Sequence, residues 1–406
     1  MPTDHPTHQP PGRAAARPRA WRLAAGLLGL AVALALSASP AAAQVAVTTH
    51  HYDNYRTGWN NSESVLSYES LAHPASASQR FGLLHTVSLD DQVDAQPLVV
   101  PKASIVGDPN AGSHDVVFVA TENNTVYAID PTRGTVLNSR NLGTPVHLPL
   151  GCTINLHLGV NSTPVIDLAT NSLYVMAYVT LPSGPTYQLH RLALHDFSDV
   201  VPPVTVAATD TLTNGATTTF SATYEHQRAA LLLSKNVVFA GFSSFCDHGG
   251  AISRGWLLGW LDKTLAPYMT NNKPSAQSAL LTDRQATSPK TWFMSSIWMS
   301  GAGPATDQYG FVYLVTSNSD PSGTTYDGVT NLQESVLRFN PSTNNVVGVF
   351  TPYNVKLLDQ GDGDFGAGGV LVLPTSVPGL PAGLVAAAGK FGNRGKTPGG
   401  PGYQAG

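Results

Sequence analysis

The sequence predicts an all-β fold, a β-propeller of four-stranded blades, and three observations carry that prediction. A strand-turn-strand phrase keeps returning, clearest in HDVVFVATENNTVYAIDPTRGTVL from His114 to Leu137, with looser copies near Ser172, Asn236, Gly310 and Gly383. A phrase of small residues or proline precedes each copy, at Pro97, Pro164, Ala229, Pro304 and Gly369, at intervals of 65 to 75 residues. The composition agrees. With 38 Gly, 30 Pro and only 12% charged residues, the chain suits many short strands joined by tight turns rather than long solvent-exposed helices.

Each unit reads as four strands in chain order. Strand A follows the small-residue phrase, as in Ala95–Val99 and Ser162–Ile166. Strand B is an apolar run: Val116–Ala120, Leu173–Ala177, Val237–Gly241 and Val312–Thr316. Strand C alternates toward a polar turn, at Val126–Asp130, Trp256–Trp260 and Ser335–Phe339, and turns such as Asp130-Pro131-Thr132-Arg133-Gly134 lead into strand D. A four-stranded sheet cannot bury both its faces alone, so the units must stack. A ring of blades is the common solution for such repeats, and a β-sandwich array is the alternative. The units exceed the roughly 40–50 residues of compact blades, and the excess falls in the D–A and B–C loops.

The ends read differently from the middle. Arg13, Arg17, Arg19 and Arg22 form a basic region, Leu23 to Leu36 is an apolar core of 14 residues, and Ala41-Ala42-Ala43 supplies a small-residue cleavage pattern. Residues 1–43 are thus expected to be a signal peptide that sends the chain to the periplasm or outside, with an uncleaved anchor as the alternative. The apolar run falls short of the roughly 20 residues a membrane helix needs, and no later stretch approaches that length. Residues 1–43 hold four Arg and one Asp, so their removal takes the net charge from −4 to −7. No basic patch remains for nucleic acid. Residues 44–80 read as an N-terminal extended segment, with Phe81–Leu89 as a lone strand before the first unit. Residues 81–390 read as an incomplete propeller of about four and a half blades. The fifth copy breaks off, and Arg394 to Gly406 is Gly/Pro-rich with no strand signal, so a C-terminal truncation is expected, with an aberrant tail over 391–406.

Several ordered phrases carry a resemblance to a known group. DNYRTGWN (Asp53–Asn60), FGLLHTVSLDDQVDAQPLVV, GVNSTPVID, FCDHGGAISRGWLLGW, IWMSGAGPATD and GAGGVLVLP resemble secreted bacterial proteins of the pyrroloquinoline-quinone-like propeller class, within the quinoprotein alcohol dehydrogenase-like superfamily. The resemblance runs from about Tyr52 to Lys390 and implies the fold; it says little about activity. Dehydrogenases of that superfamily hold the quinone against a vicinal disulfide, with calcium and an Asp base. This chain has no adjacent cysteines and no acidic residue that matches that base.

Topology sorts the remaining candidates. In a four-stranded meander the B–C and D–A loops emerge on one face, which collects Cys152 and His157, then Cys246, Asp247 and His248, then Trp292, Trp298 and Met299, then Asp359, Asp362 and Asp364. His157, Asp247, His248, Trp292 and Trp298 are the ligand-face candidates. Asp247-His248 lacks a third orienting group, so no catalytic set is assigned. Asp362-x-Asp364 among glycines is a candidate calcium pair, but the terminal Glu of a calcium loop is absent and a Gly-rich turn capped by Asx bonds is the preferred reading. Gly366-Ala367-Gly368-Gly369 lacks the helix and the Lys-Ser/Thr of a phosphate loop. Trp256 and Trp260 suit interblade packing. A glycosidase needs two carboxylates at a set separation, which sequence does not identify. The functional expectation is a noncatalytic exported scaffold that presents this face to a ligand, polysaccharide or protein. A quinone-dependent oxidoreductase that uses pyrroloquinoline quinone and calcium is the alternative.

Cys152 and Cys246 fall on that face from adjacent units, where export permits a structural disulfide. Non-reducing peptide mapping is expected to recover one cross-linked pair joining them; two free thiols would remove the cross-link.

Overall fold

The computed structural model describes residues 45–74, 76, 81–147, 156–245, 253–268, 280–286, 293–320, 324–374 and 383–390. After a short helix α1 (Tyr68–Ala72), the chain forms antiparallel sheets in succession. The first comprises β1 (Leu98–Val100), β2 (Val116–Ala120), β3 (Thr125–Asp130) and β4 (Thr135–Asn141), and the second β5 (Val165–Asp167), β6 (Ser172–Leu181), β7 (Gly184–Ala193) and β8 (Asp199–Thr205). A small hairpin of β9 (Thr209–Thr211) and β10 (Thr217–Thr219) follows. In the third sheet β11 (Glu225–His226) and β12 (Leu232–Ser234) both pair with β13 (Val237–Ser244). Beyond a two-residue strand β14 (Ser253–Arg254), β15 (Trp256–Leu261) and β16 (Leu280–Leu281) complete it, and β17 (Phe293–Met294) runs parallel to β14. The fourth comprises β18 (Ala305–Thr306), β19 (Val312–Val315), β20 (Val336–Asn340) and β21 (Asn345–Phe350). Helix α2 (Val355–Gln360) leads to a fifth, two-stranded sheet of β22 (Val370–Val372) and β23 (Val385–Ala387). The predicted order A-B-C-D holds in each four-stranded sheet.

Strand burial shows why these sheets must stack. β13 is buried at every residue, whereas the outer strands β4 and β21 alternate between half-buried and exposed. A strand buried on both faces reads as a continuous apolar run, which is the pattern of Val237-Val238-Phe239-Ala240. The two faces go to different neighbours. Along β6, Leu173, Val175, Ala177 and Val179 meet Leu98, Phe118 and Val126 of the first sheet. The alternate residues Tyr174, Met176 and Tyr178 meet Val238, Phe242, Trp256 and Trp260 of the third. Period-two alternation thus divides each inner sheet between two cores, the arrangement of propeller blades. Trp256 and Trp260 are buried in this packing, as their positions predict.

Strand A of every sheet converges on one segment, Val47 to Arg56. Val47 bridges to Val99 of β1, and the Ile166 N–H donates to the Thr48 carbonyl at 2.8 Å. The Asn54 side-chain amide donates to Leu233 O of β12 (2.8 Å), and its own carbonyl accepts the Thr306 N–H of β18 (2.8 Å). The Val372 N–H of β22 donates to Tyr55 O at 2.9 Å. Arg56, 3% exposed, completes the axis. Its guanidinium donates to Pro304 O (2.9 Å), Leu231 O (3.0 Å), His50 O (2.9 Å) and Thr49 Oγ1 (2.5 Å). Burial lowers its pKa to about 9, which leaves it charged at neutrality. The DNYRTGWN phrase therefore holds the end of the axial segment, Asn54 to Arg56, that ties the last three sheets together.

Phe81–Leu89 is not a strand, contrary to the sequence expectation. Val87 and Leu89 lie against Val119, Tyr127 and Ile129, so the segment covers a face of the first sheet rather than pairing with an edge. Alternation along Val87-Ser88-Leu89 satisfies either geometry, and its partners are too distant in sequence for the pattern to distinguish them. Phe81, Leu83 and Leu84 are 77%, 85% and 82% exposed.

Replacing Arg56 by Ala removes the donors to three main-chain carbonyls from different parts of the chain. A loss of about 3 kcal/mol or more in urea unfolding is expected, with Arg56→Lys intermediate because an ammonium cannot reproduce the planar fork. An unchanged midpoint for Arg56→Ala would show that the axis is held without it.

Candidate functional site

The candidate site is the side where the B–C turns of one sheet meet the D–A loops of the next. The β2–β3 turn illustrates the contact: Leu142 N–H donates to Asn124 O at 2.9 Å, and Val160 N–H to Thr121 O at 3.3 Å. Gly159 sits so close that a Cβ there would collide with the Glu122 carbonyl, and Gly366 presses in the same way on Ser317 in the fourth sheet. At both junctions a buried glutamate accepts main-chain N–H groups from the following loop. Glu122 takes Gly159 N–H (2.8 Å) and the Asn161 amide (2.5 Å), and Glu334 takes Phe365 N–H (2.6 Å).

An acidic run, Asp90-Asp91-Gln92-Val93-Asp94, grips the first junction. Asp90 accepts from Thr121, Asn123 and Thr125, at 2.8, 2.8 and 2.5 Å. Asp91 meets His157 Nε2 at 2.5 Å, and Asp94 shares the Asn161 amide (2.9 Å) with Glu122. His157, a predicted ligand-face residue, therefore has a carboxylate partner and stands edge-on to His147 at 5.6 Å.

The third sheet contributes an aromatic and cationic group. His226 is buried, stacked on Phe245 at 4.6 Å and edge-on to Trp298 at 5.4 Å. The Arg228 guanidinium lies 5.5 Å from the half-buried Trp298 ring. Among the described residues neither His226 nitrogen nor Arg228 Nε has a hydrogen-bond partner. The neighbouring Glu225 accepts from Arg254 N–H (3.2 Å) and from the Trp256 indole N–H (3.3 Å), while Arg254 donates to Asp283 O (2.7 Å).

Burial sets the protonation states. It raises Glu122 to about 7 against the lowering bonds from Asn161 and Gly159, and Asp94 raises it further. It raises Glu334 to about 8, and it pushes Glu225 well above the carboxylate range. Burial, with Arg228 adding repulsion, lowers His226 to about 3. A histidine that is neutral throughout the physiological range offers an aromatic surface and ring nitrogens for hydrogen bonding, but it is a weak proton acceptor at neutrality.

The other predicted residues divide as follows. Cys152, Cys246, Asp247, His248 and Trp292 lie outside the described residues. Met299 is buried, and Asp359 accepts the Ser319 N–H at 2.9 Å. Asp362 and Asp364, the pair proposed for calcium, both bind the Lys390 ammonium, at 2.6 and 3.1 Å, which offsets one of their two charges. Among the described residues no group of three or more His, Cys, Asp or Glu is placed to hold a metal. Sequence reasoning did not single out Asp91, Asp94, Glu122, Glu225, His226 or Arg228. The acidic run lay within a phrase used only for its resemblance, and Thr121-Glu122-Asn123-Asn124 read as an ordinary turn.

No protein-family model matches the chain, and no curated protein matches it. Among solved structures it is similar to the quinohemoprotein alcohol dehydrogenase ADHIIG from Pseudomonas putida HK5, at 16% identity and a TM-score of 0.49, over 75% of this chain and 40% of that one. This chain thus spans two fifths of that enzyme's length. It is also similar to BamB from Moraxella catarrhalis (8% identity, TM-score 0.26, 64% of this chain and 71% of that one). A third similarity is to the computationally designed Ika4 protein (12%, TM-score 0.24, 60% and 96%). These likenesses are too loose to carry an argument, and the fold assignment rests on the sheets themselves.

The folded pKa of Glu122, about 7, lies above its ordinary value of 4.5. Its stabilising contribution is therefore complete below the unfolded value and disappears as pH rises through about 7. His226 acts in the opposite sense, with its contribution present above 6.5 and lost as pH falls toward 3. Glu122→Gln retains an acceptor but cannot ionise. Relative to that variant, the wild type is expected to lose on the order of 2–3 kcal/mol between about pH 4 and pH 8 in urea unfolding. A constant difference would mean that Glu122 does not hold its proton in the fold.

Proposed function

We propose that the chain is an exported, noncatalytic β-propeller scaffold whose loop-rich face binds a ligand, with polysaccharide as the ligand class. The observation that carries this reading is one-sidedness. The half-buried Trp298 indole, the Arg228 guanidinium beside it, and the His157–Asp91 pair all sit where B–C turns meet D–A loops. An indole face with a guanidinium and an imidazole beside it suits the apolar faces and hydroxyl edges of sugars. A rigid stack that carries variable loops on one side is the usual scaffold for recognition.

The quinone reading finds less support in the chain's own residues. The two cysteines are far apart in sequence, and among the described residues the acidic pair Asp362/Asp364 is bound to Lys390. Those residues do not fit the calcium and vicinal disulfide of that chemistry, so no redox step is derived.

The full chain is expected to bind at least one bacterial cell-wall polysaccharide on an immobilised panel, and Trp298→Ala is expected to weaken that binding by about tenfold or more. Silence across the panel, with dye-linked alcohol oxidation on addition of pyrroloquinoline quinone, would overturn the reading in favour of an oxidoreductase. Capture of a secreted protein in place of glycan would overturn the ligand class.

A further inference from the structure

The opposite side of the stack, formed by A–B and C–D turns, holds a cleft of about 210 Å³ between the third and fourth sheets. Phe239 and Val237 lie at the cleft, with Tyr268, Tyr309 and Phe311 as aromatic walls and Lys235 and Asn340 as polar groups. We propose that this cleft binds a single pyranose ring, the terminal sugar of a glycan, with its apolar face on Tyr309 and Tyr268 and its hydroxyl groups on Lys235 and Asn340.

The cleft is built from turns that hold their side chains in place. Lys235 and Asn236 are the two loop residues of the β12–β13 hairpin, with Ser234 paired to Val237, and both have positive φ (48° and 64°). A two-residue turn of this hand favours Asn-Gly, and a lysine in the left-handed region is strained. The Lys235 stem also packs against Gly310 (φ +91°), where a Cβ would lie 2.8 Å from Lys235 Cγ. The adjacent blade therefore leaves room for this side chain by having no side chain of its own. Asp307 accepts the Tyr309 and Phe311 N–H groups at 3.0 and 3.1 Å, which fixes the turn that carries both rings. The Arg338 guanidinium lies 3.8 Å from the Phe311 ring centre, and Tyr268 stands edge-on to Phe239 at 6.4 Å. Asn340 Oδ1 accepts the Ser342 N–H at 3.0 Å, so the amide N–H groups are its remaining donors at the cleft.

Size and charge select the ligand. The volume is below the roughly 300–1,000 Å³ of sites for drug-sized molecules, so it fits one ring and not an oligomer. Arg338 is turned to Phe311 and Asp307, which leaves Lys235 as the cation among the lining residues and gives a strong anion little compensation. Aromatic walls with donors at the edge match the alternation of C–H faces and hydroxyl edges in a pyranose.

The test uses methyl glycosides of glucose, galactose, mannose and N-acetylglucosamine, titrated into the full chain and followed by saturation-transfer NMR. At least one is expected to bind with a Kd of about 1 mM. Tyr309 is 71% exposed, so Tyr309→Ala should leave the fold intact while weakening binding about threefold to tenfold. Lys235→Gly relaxes the turn and removes the amine, so it should raise stability slightly and also weaken binding. Trp298→Ala, on the other side, should change nothing. The cleft is rejected if no glycoside binds up to about 20 mM, or if Trp298→Ala abolishes the signal while Tyr309→Ala spares it. Polysaccharide binding that depends on Trp298 can fail or succeed independently of these outcomes.

Discussion

The structure depends on how the inner edges of its axial strands are satisfied. In a radial stack the strand A edges all point at the axis, and each presents N–H and C=O groups with no neighbouring strand. Residues 47–56 supply the partners, through main-chain bonds at Val47, Thr48, Asn54 and Tyr55 and side-chain bonds from Asn54 and Arg56. A segment that bonds five radiating strands cannot itself be a regular strand, because its partners approach from different directions. The left-handed residues His51, Tyr52 and Arg56 make the necessary changes of direction. Arginine suits the centre because its planar fork serves several carbonyls at once, where a lysine is a point donor.

The same requirement shapes the loop side. Where a D–A loop crosses the preceding B–C turn, its N–H groups are turned inward and need acceptors away from water. Glu122 and Glu334 supply them, and burial raises their carboxyl groups to about 7 and about 8. Their perturbed pKa values therefore follow from packing, although such shifts also mark functional sites. In the His226–Arg228–Trp298 group the contacts are between rings and guanidinium, and among the described residues the His226 ring nitrogens and Arg228 Nε have no hydrogen-bond partner.

Legibility from sequence followed the range of the interactions. Strands B and C were legible because Val116–Ala120 and Val126–Asp130 carry their signal within a few residues, and the observed bounds agree closely. The side to which His157 and Trp298 belong followed from strand order alone. Phe81–Leu89 was misjudged because face packing and edge pairing impose the same alternation. Arg56 was recognisable as part of a phrase, yet its role depends on Leu231 and Pro304, far along the chain. His226 escaped notice because strand A of the third sheet is interrupted between β11 and β12, and that break places His226 beside Trp298.

The two sides of the stack differ in how their turns are made, and that difference bears on function. On the loop side, long connections bring charged and aromatic groups together through acceptors that are themselves buried, so their placement is coupled to protonation and to the fit between neighbouring sheets. On the opposite side, short hairpins place Lys235 and Tyr309 by backbone constraint and an Asp307 clamp. Pre-organised side chains lose little freedom on binding, so even a small cleft can retain a weak ligand. Arg56 ties the third and fourth sheets to the axial segment while Val47, Thr48 and Tyr55 tie the first, second and fifth, and together these bonds keep both sides in a constant relation.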